Sequence, residues 1–277
     1  TAYFTGQNSL SGLTVNNGLV TTKYGSTIGR LMDATNGGYL DVAGGRVALH
    51  GAEKMTWATV QSGGELAAFG AVSADWLGNS GSAAFFADAV VRQVYNNAGG
   101  TAAFFGSLAS NSIINYGEFL LGGNTSTPYL YNASGGTMMS LGNVETANSD
   151  NYGLWTLAGD LTATNTINQN GYLAVLGDMV DGVETAATRT VTTNRLWGNN
   201  NAAIGLGGVS GAVANTLVLD MAGAGEFAGV IDGAGKLVKT GAGTLLLSGA
   251  NSFTGGLTIE QGGIETTLSG TLADTLA

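Results

Sequence analysis

The stretch "GTAAFFGSLASNSIINYGEFLLGG", residues 100–123, contains one short pattern twice. Each copy begins with a glycine and a polar residue, continues with apolar residues at alternate positions, and reaches another glycine after six residues. The first copy runs from Gly100 to Gly106 and the second from Gly117 to Gly123. This pattern predicts a five-residue β-strand with one buried face and a turn at each end.

The same pattern recurs through most of the chain. Its first glycine lies at positions 45, 64, 81, 100, 117, 136, 153 and 171, in steps of 17 to 19 residues. The residue two positions later is apolar in every copy, and the residue four positions later is apolar in every copy except the one with Ser140. We therefore expect these two positions to face the core, and the positions between them to face outward.

The direction of the repeat separates two architectures. An antiparallel meander would reverse every second strand through tight hairpins, whereas here every copy keeps the same direction in the chain. Helical crossovers are excluded because the roughly 12 intervening residues are rich in Gly, Asn, Ser and Thr, which are poor helix formers. The sequence therefore predicts an all-β fold, a parallel β-helix of about 18 residues per coil in which each strand stacks on its own copy.

Composition excludes several classes of protein. Glycine accounts for 47 of 277 residues, yet there is no three-residue glycine period and only one proline, which excludes collagen. Cysteine is absent, so disulfides and thiolate metal sites are excluded, and we expect no metal and no cofactor. The net charge of −10 argues against nucleic acid as a partner.

We interpret residues 1–277 as a single β-helical domain. Regular coils are predicted for residues 45–178. The rhythm lapses over residues 179–218, where we expect a protruding loop or an irregular coil, because apolar residues persist there. A different repeat is predicted for residues 221–264.

The stretch "GAGKLVKTGAGTLLLSGANSFTGGLTIEQGGI", residues 233–264, resembles the autotransporter-associated strand repeat of Gram-negative secreted passengers. The positions that match the repeat are Lys239, Gly241, Gly243, Thr244, Leu245, Leu247, Gly249, Asn251, Phe253, Thr254, Gly255 and Gly256. The segments "ATVQSGGELAAFGAVSA" (58–74) and "YNASGGTMMSLGNVETA" (131–147) also resemble, more loosely, the repeats of self-associating autotransporter adhesins. The resemblance implies a right-handed parallel β-helix exported to the bacterial cell surface or secreted. It also implies a C-terminal outer-membrane barrel as a partner, which we expect to lie outside this chain.

Motifs that suggest catalysis have simpler structural explanations. "GNSGSAAF" (78–85) resembles the nucleophile motif of chymotrypsin-like proteases, but Ser80 aligns with a turn glycine of the next coil. The single histidine, His50, lies 30 residues upstream of it. Glu65 and Glu118 are expected three coils apart on the solvent face, too far for the acid pair of a glycosidase. We therefore predict no catalytic residue.

Three functions remain open. The first, which we favour, is an adhesin or self-association module whose partners are other copies of itself or a component of a host or bacterial surface. The second is a structural stalk of a larger passenger whose active domain, for example a protease, lies outside this chain. The third is an enzyme or toxin acting within the chain itself.

A run of aromatic residues, His50, Phe69, Phe86 and Phe105, lies five positions after the repeat glycine. Strict alternation would place these side chains outward, as an exposed interaction stripe formed by Phe69, Phe86 and Phe105. Alternatively, the strand bends at the following glycine and turns the rings into the core. Of the two interpretations we favour the core, with His50 as a packing residue.

Overall fold

The computed structural model describes residues 2–4, 12–15, 19–22, 39–177, 179–180, 183–210 and 213–267. These residues form an all-β parallel solenoid of about 12 turns, roughly 19 residues apart, consistent with a right-handed β-helix. The predicted fold class is confirmed, and the coil length is close to the predicted one. The described residues contain no helix that could cross a membrane. The chain divides into two compact units, Thr1–Thr127 and Pro128–Ala277.

The first unit consists of parallel strands. In chain order they are β1 (Ala2–Phe4), β2 (Gly12–Val15), β3 (Leu19–Thr22), β4 (Tyr39–Val42), β5 (Gly45–Leu49), β6 (Glu53–Val60), β7 (Gly64–Ala68), β8 (Val72–Asn79), β9 (Ser82–Phe85), β10 (Ala89–Asn96), β11 (Thr101–Phe104), β12 (Leu108–Ala109), β13 (Ser112–Asn115), β14 (Glu118–Leu121) and β15 (Thr125–Asn132), the last of which ends in the second unit. One sheet has the order β1-β3-β5-β7-β9-β11-β14, and the longer strands β4, β6, β8 and β10 pair in a second sheet.

The second unit has the same alternation of short and long strands at its start. Its strands are β16 (Thr137–Ser140), β17 (Val144–Asn151), β18 (Leu154–Leu157), β19 (Leu161–Gln169), β20 (Tyr172–Val175), β21 (Met179–Val180), β22 (Val183–Glu184), β23 (Thr190–Thr193), β24 (Leu196–Gly198), β25 (Ala203–Gly205), β26 (Thr216–Asp220), β27 (Gly225–Phe227), β28 (Val230–Asp232), β29 (Lys236–Thr240), β30 (Thr244–Leu247), β31 (Leu257–Ile259) and β32 (Gly263–Thr266). One sheet has the order β16-β18-β20-β25-β28.

The short strands stack in the predicted register. Ala83 pairs with Leu66 below it and Ala102 above it, so equivalent repeat positions meet coil on coil. The two inward positions are buried in all eight copies, as predicted. The polar exception, Ser140, is also buried, and its Oγ accepts a hydrogen bond of 2.9 Å from Nε1 of Trp155. The core therefore tolerates this hydroxyl because the tryptophan in the next coil satisfies it.

The regular coils also contain a longer strand, divided into β12 and β13 in one coil, that the repeat analysis did not identify. In β10 the alternation of buried and exposed residues is interrupted by two consecutive exposed residues, Arg92 and Gln93. Pairing with β8 skips Arg92, since Val91 aligns with Ala74 and Gln93 aligns with Trp76. The strand therefore turns a corner at this point, and its buried face resumes with the opposite phase.

Close approach between coils explains the glycines that bound the short strands. A Cβ atom on Gly117 would lie 2.2 Å from the carbonyl oxygen of Gly100, and one on Gly123 would lie 2.5 Å from the carbonyl of Gly106. Contacts that short are sterically forbidden, so only glycine fits where turns stack directly on turns. Gly63 and Gly99 are required for a different reason: their φ angles of +83° and +79° lie in the left-handed region, which favours glycine.

The described residues between 179 and 218 form an enlarged coil. β21 and β22 pair with each other in antiparallel orientation, and β23 then pairs with β19 and β25 with β20. The Glu184 carboxylate accepts hydrogen bonds from the backbone N–H groups of Gly177 (2.8 Å), Val209 (3.0 Å) and Ser210 (3.0 Å). Burial by itself raises the pKa of Glu184, but these hydrogen bonds outweigh it and hold the pKa below its ordinary value.

Candidate functional surfaces

The first candidate surface is the aromatic stripe of the first unit, which we define as His50, Phe69, Phe86 and Phe105. Successive rings stack with centroid distances of 4.7, 4.9 and 5.0 Å and nearly parallel planes. Each phenylalanine is nearly half exposed, at 46 to 47%. Four consecutive coils therefore present one continuous aromatic ladder to solvent.

The expectation that these rings lie in the core is wrong. The backbone N–H of Phe86 still donates to Ala68 O (2.8 Å), and that of Phe105 donates to Phe85 O (2.8 Å). The parallel ladder thus continues through this position, so side-chain alternation also continues and the ring points outward. The buried phenylalanine stack is formed instead by the preceding position, where Phe85 and Phe104 stack at 4.5 Å.

Beneath the surfaces, a ladder of buried amides stabilises the turns, and the sequence analysis did not identify it. In the first unit Asn79 Nδ2 donates to Asn96 Oδ1, and Asn96 Nδ2 donates to Asn115 Oδ1, both at 2.8 Å. In the second unit Asn132 Nδ2 donates to Asn151 Oδ1 at 2.8 Å. The signal was present in the sequence, since these asparagines recur with the period of the repeat glycines, two or four residues before them.

The second candidate surface is a polar groove in the second unit, with a volume of about 380 Å³. It lies on the outer face of the long strands, where Asn148 aligns with Thr166 and Asp150 aligns with Asn168 on neighbouring coils. Its lining consists of Tyr129, Asn148, Asp150, Thr166, Asn168 and Trp197. A further hollow of about 280 Å³ shares Thr166 with it and is lined by Asn165, Asn194, Arg195, Asp220, Ala222 and Gly223.

Hydrogen bonds hold two polar side chains of the groove, those of Asp150 and Asn168, in fixed orientations. The Tyr129 hydroxyl donates to Asp150 Oδ2 at 2.8 Å, and Asn170 Nδ2 donates to Asn168 Oδ1 at 2.7 Å. Burial, followed by the hydrogen bond and the negative charge of Asp150, raises the pKa of Tyr129, so the phenol stays protonated and keeps donating. Trp197 is 39% exposed at the edge of this groove.

The residues considered for catalysis are not brought together. Ser80 precedes β9, whereas His50 follows β5, so these two residues lie at opposite ends of stacked strands that rise about 3.3 Å per residue. Ser80 Oγ accepts a hydrogen bond of 3.0 Å from Asn97 Nδ2. Glu65 forms an ion pair with Arg46 at 2.7 Å and, by register, lies three coils from Glu118. No group of metal-ligating side chains occurs among the residues that the structure describes.

A buried lysine marks the C-terminal coils. Lys239 takes an inward position of β29, aligned with the core residue Leu219 of β26. Its ammonium donates to the carbonyl oxygens of Gly241 (2.7 Å), Gln261 (3.4 Å) and Met221 (3.5 Å), as well as to that of Thr240. Burial lowers the pKa of Lys239, and the Asp220 carboxylate partly offsets this effect. The side chain thus joins the turn carbonyls of three successive coils.

These coils also contain the segment that a family model matches. The model of the passenger-associated-transport-repeat matches residues 237–265, which overlap the predicted repeat region. This match and the parallel β-solenoid point to the same class of protein. The chain fits an autotransporter passenger domain. No curated protein and no solved structure gave a significant match.

Within the passenger repeat, the residues at the predicted family positions have structural roles. Leu245 and Leu247 are fully buried, and Phe253 is nearly so. Asn251 Oδ1 accepts from the backbone N–H of Ile231 (3.0 Å), and its Nδ2 donates to Gly249 O (2.9 Å). The glycines permit close contact with the previous coil or a left-handed turn: Gly241, Gly243, Gly249, Gly255 and Gly256. The last two positions are outward: Thr244 is partly exposed in β30, and Thr254 is exposed, with its N–H donating to Gly233 O at 2.9 Å.

Proposed function

We propose that this passenger is exported to the bacterial surface, or released from it, and acts there by contact, as an adhesin that binds further copies of itself. The observation that carries the proposal is the aromatic stripe. The passenger-associated repeat supports export, because such a repeat implies an autotransporter passenger. A repeat-type β-helix is consistent with a role without catalysis.

The stripe has the physical properties of a contact surface. Leaving three stacked phenylalanines nearly half exposed is unfavourable, at roughly 25 cal/mol per Å² of apolar surface in water, so an exposed aromatic stripe usually marks an interaction site. The rings are already held by stacking and by the backbone ladder, so little conformational entropy is lost when they are covered. The chain is acidic overall, yet the stripe contains no acidic residue that would oppose the approach of a second acidic copy.

The test is a settling assay on bacteria that display the chain, comparing the native sequence with Phe69→Ser/Phe86→Ser/Phe105→Ser. The triple substitution is expected to abolish aggregation while the thermal unfolding midpoint falls little, because the rings are exposed. Val90→Ser is the matched control, since Val90 is an exposed apolar residue on β10, outside the stripe. It should leave aggregation unchanged.

The main alternative is a structural stalk, and the same assay distinguishes it. If the triple variant is surface-displayed, folded and aggregates like the native chain, the stripe is not the contact surface and the adhesin proposal fails. A chain that does not aggregate bacteria even with its native sequence would favour the stalk.

A further inference from the structure

We propose that the polar groove of the second unit, formed by Tyr129, Asn148, Asp150, Thr166, Asn168 and Trp197, is a binding site for neutral oligosaccharides. The proposal does not depend on self-association through the aromatic stripe, which belongs to the other unit. It rests on three features of the groove: an exposed indole, polar groups held in place beside it, and the sign of its charge.

The indole of Trp197 is the first feature. A sugar ring presents an apolar C–H face and a rim of hydroxyl groups, and a flat aromatic side chain bordered by hydrogen-bonding groups matches both. Trp197 pairs in register with Asn168 on the neighbouring strand β19. The backbones of these two residues therefore lie one coil, about 4.8 Å, apart, which is within the span of a single sugar.

The second feature is the set of polar groups whose orientation is fixed before any ligand arrives. Asp150 is held by Tyr129, and Asn168 is held by Asn170 and by the Tyr152 hydroxyl, to which it donates at 3.4 Å. In the part of the chain that the structure describes, the side-chain amide of Asn148 has no hydrogen-bond partner, and Asp150 Oδ1 accepts no hydrogen bond. The groove thus offers an unused donor and acceptors to hydroxyl groups, which both donate and accept.

The third feature, charge, decides the class of sugar. The groove contains one carboxylate, Asp150, and no cationic side chain, in a chain of net charge −10. Uronic acids and sulfated sugars would be repelled, whereas the hydroxyl groups of a neutral sugar donate well to a carboxylate. The hollow that shares Thr166 adds one cation, Arg195, and one carboxylate, Asp220, so it adds no net charge. It extends the surface beyond one ring, so we expect a chain of several sugars rather than a monosaccharide.

The test is calorimetric titration of the purified chain with three neutral pentasaccharides: β-1,4-linked glucose, α-1,4-linked glucose and β-1,4-linked N-acetylglucosamine. A pentamer of galacturonic acid is the anionic comparison. At least one neutral probe should bind with a Kd of about 1 mM or tighter. Trp197→Ala should weaken that binding tenfold or more, and Asn148→Ala, which leaves the indole in place, should weaken it measurably.

Trp57→Ala is the matched control, because Trp57 is exposed to a similar extent but lies on β6 in the first unit; it should leave the Kd unchanged. Circular dichroism establishes that each variant is folded before titration. The proposal is overturned if no neutral probe binds at about 1 mM, if the anionic pentamer binds more tightly than the neutral ones, or if Trp197→Ala weakens binding by less than tenfold.

Discussion

At the scale of single residues, buried polar side chains complete the turns of this solenoid. Asn96 is fully buried, yet every polar atom of its amide is used: Nδ2 donates to Asn115 Oδ1, Glu118 O and Gly100 O, and Oδ1 accepts from Asn79. In the C-terminal coils, the buried ammonium of Lys239 likewise donates hydrogen bonds to backbone carbonyl oxygens, including that of Gly241. Such groups stabilise only as complete sets, because an unpaired buried polar atom is costly.

The amide ladder gives the first prediction. Asn96→Ala removes the shared donor, leaves carbonyl oxygens of two coils without it, and should lower the free energy of unfolding by about 2 kcal/mol. Asn97→Ala, at the neighbouring exposed position, should change it by less than about 0.5 kcal/mol. Urea unfolding of the two variants measures both values. Equal effects would mean that the ladder adds nothing to stability.

At the scale of elements, stacked turns determine where glycine is required. A Cβ atom on Gly159 would lie 2.2 Å from the carbonyl oxygen of Gly142 in the previous coil, whereas one on Gly223 would meet nothing closer than 3.6 Å. Both glycines follow or precede strands, so their neighbourhood in the sequence does not distinguish them. The distance from the added Cβ atom to the adjacent coil distinguishes them.

Gly159→Ala should therefore destabilise the second unit by about 2 kcal/mol or more, because the backbone of two coils must separate. Gly223→Ala should be neutral or stabilise by a few tenths of a kcal/mol, since it only reduces the freedom of the unfolded chain. Thermal unfolding followed by circular dichroism compares them. A destabilised Gly223→Ala would contradict the steric explanation.

The enlarged coil depends on pH through Glu184. Its folded pKa lies below the ordinary value of 4.5, so its contribution to stability is fully present above about pH 4.5 and is lost as the pH falls through the folded pKa. Glu184→Gln should cost about 1 to 2 kcal/mol at pH 7, and this difference from the native chain should shrink below pH 4.5. Urea unfolding across pH 7 to 3, with the exposed Glu226→Gln as control, tests the trend. A difference that stays constant over this range would show that the carboxylate charge is not responsible.

At the scale of the whole molecule, charge opposes the proposed self-association. Each copy has a net charge of −10, and one of its exposed cations, Arg46, is already paired with Glu65. Two copies that meet through the aromatic stripe must therefore overcome long-range repulsion. Salt reduces that repulsion without weakening apolar contacts.

Aggregation of displaying bacteria should consequently strengthen as salt rises from about 0.01 M to 0.15 M, where the screening length falls from about 30 Å to about 8 Å. Settling rates over a salt series measure this. Aggregation that weakens steadily with salt would instead indicate ion pairs between copies, and would mean that the contact lies outside the stripe.

The sequence by itself determined the parallel fold and the inward positions of the short strands. Both follow from local alternation repeated in one direction. Val47 and Leu66 could therefore be placed in the core without knowing which residues contact them. The repeat matched at residues 237–265 was likewise visible in the order of residues alone. The recurring asparagines were also there, but their role required knowing that their amides meet.

Tertiary structure alone decided the surfaces. Phe86 points outward because its N–H is still engaged by the previous coil, and no local pattern says where that ladder ends. The groove unites Asp150, Asn168 and Trp197 from three strands, and the corner in the long strands and the enlarged coil set their alignment. A surface built across coils depends on register between residues distant in the chain, and alternation along one strand carries no information about that register.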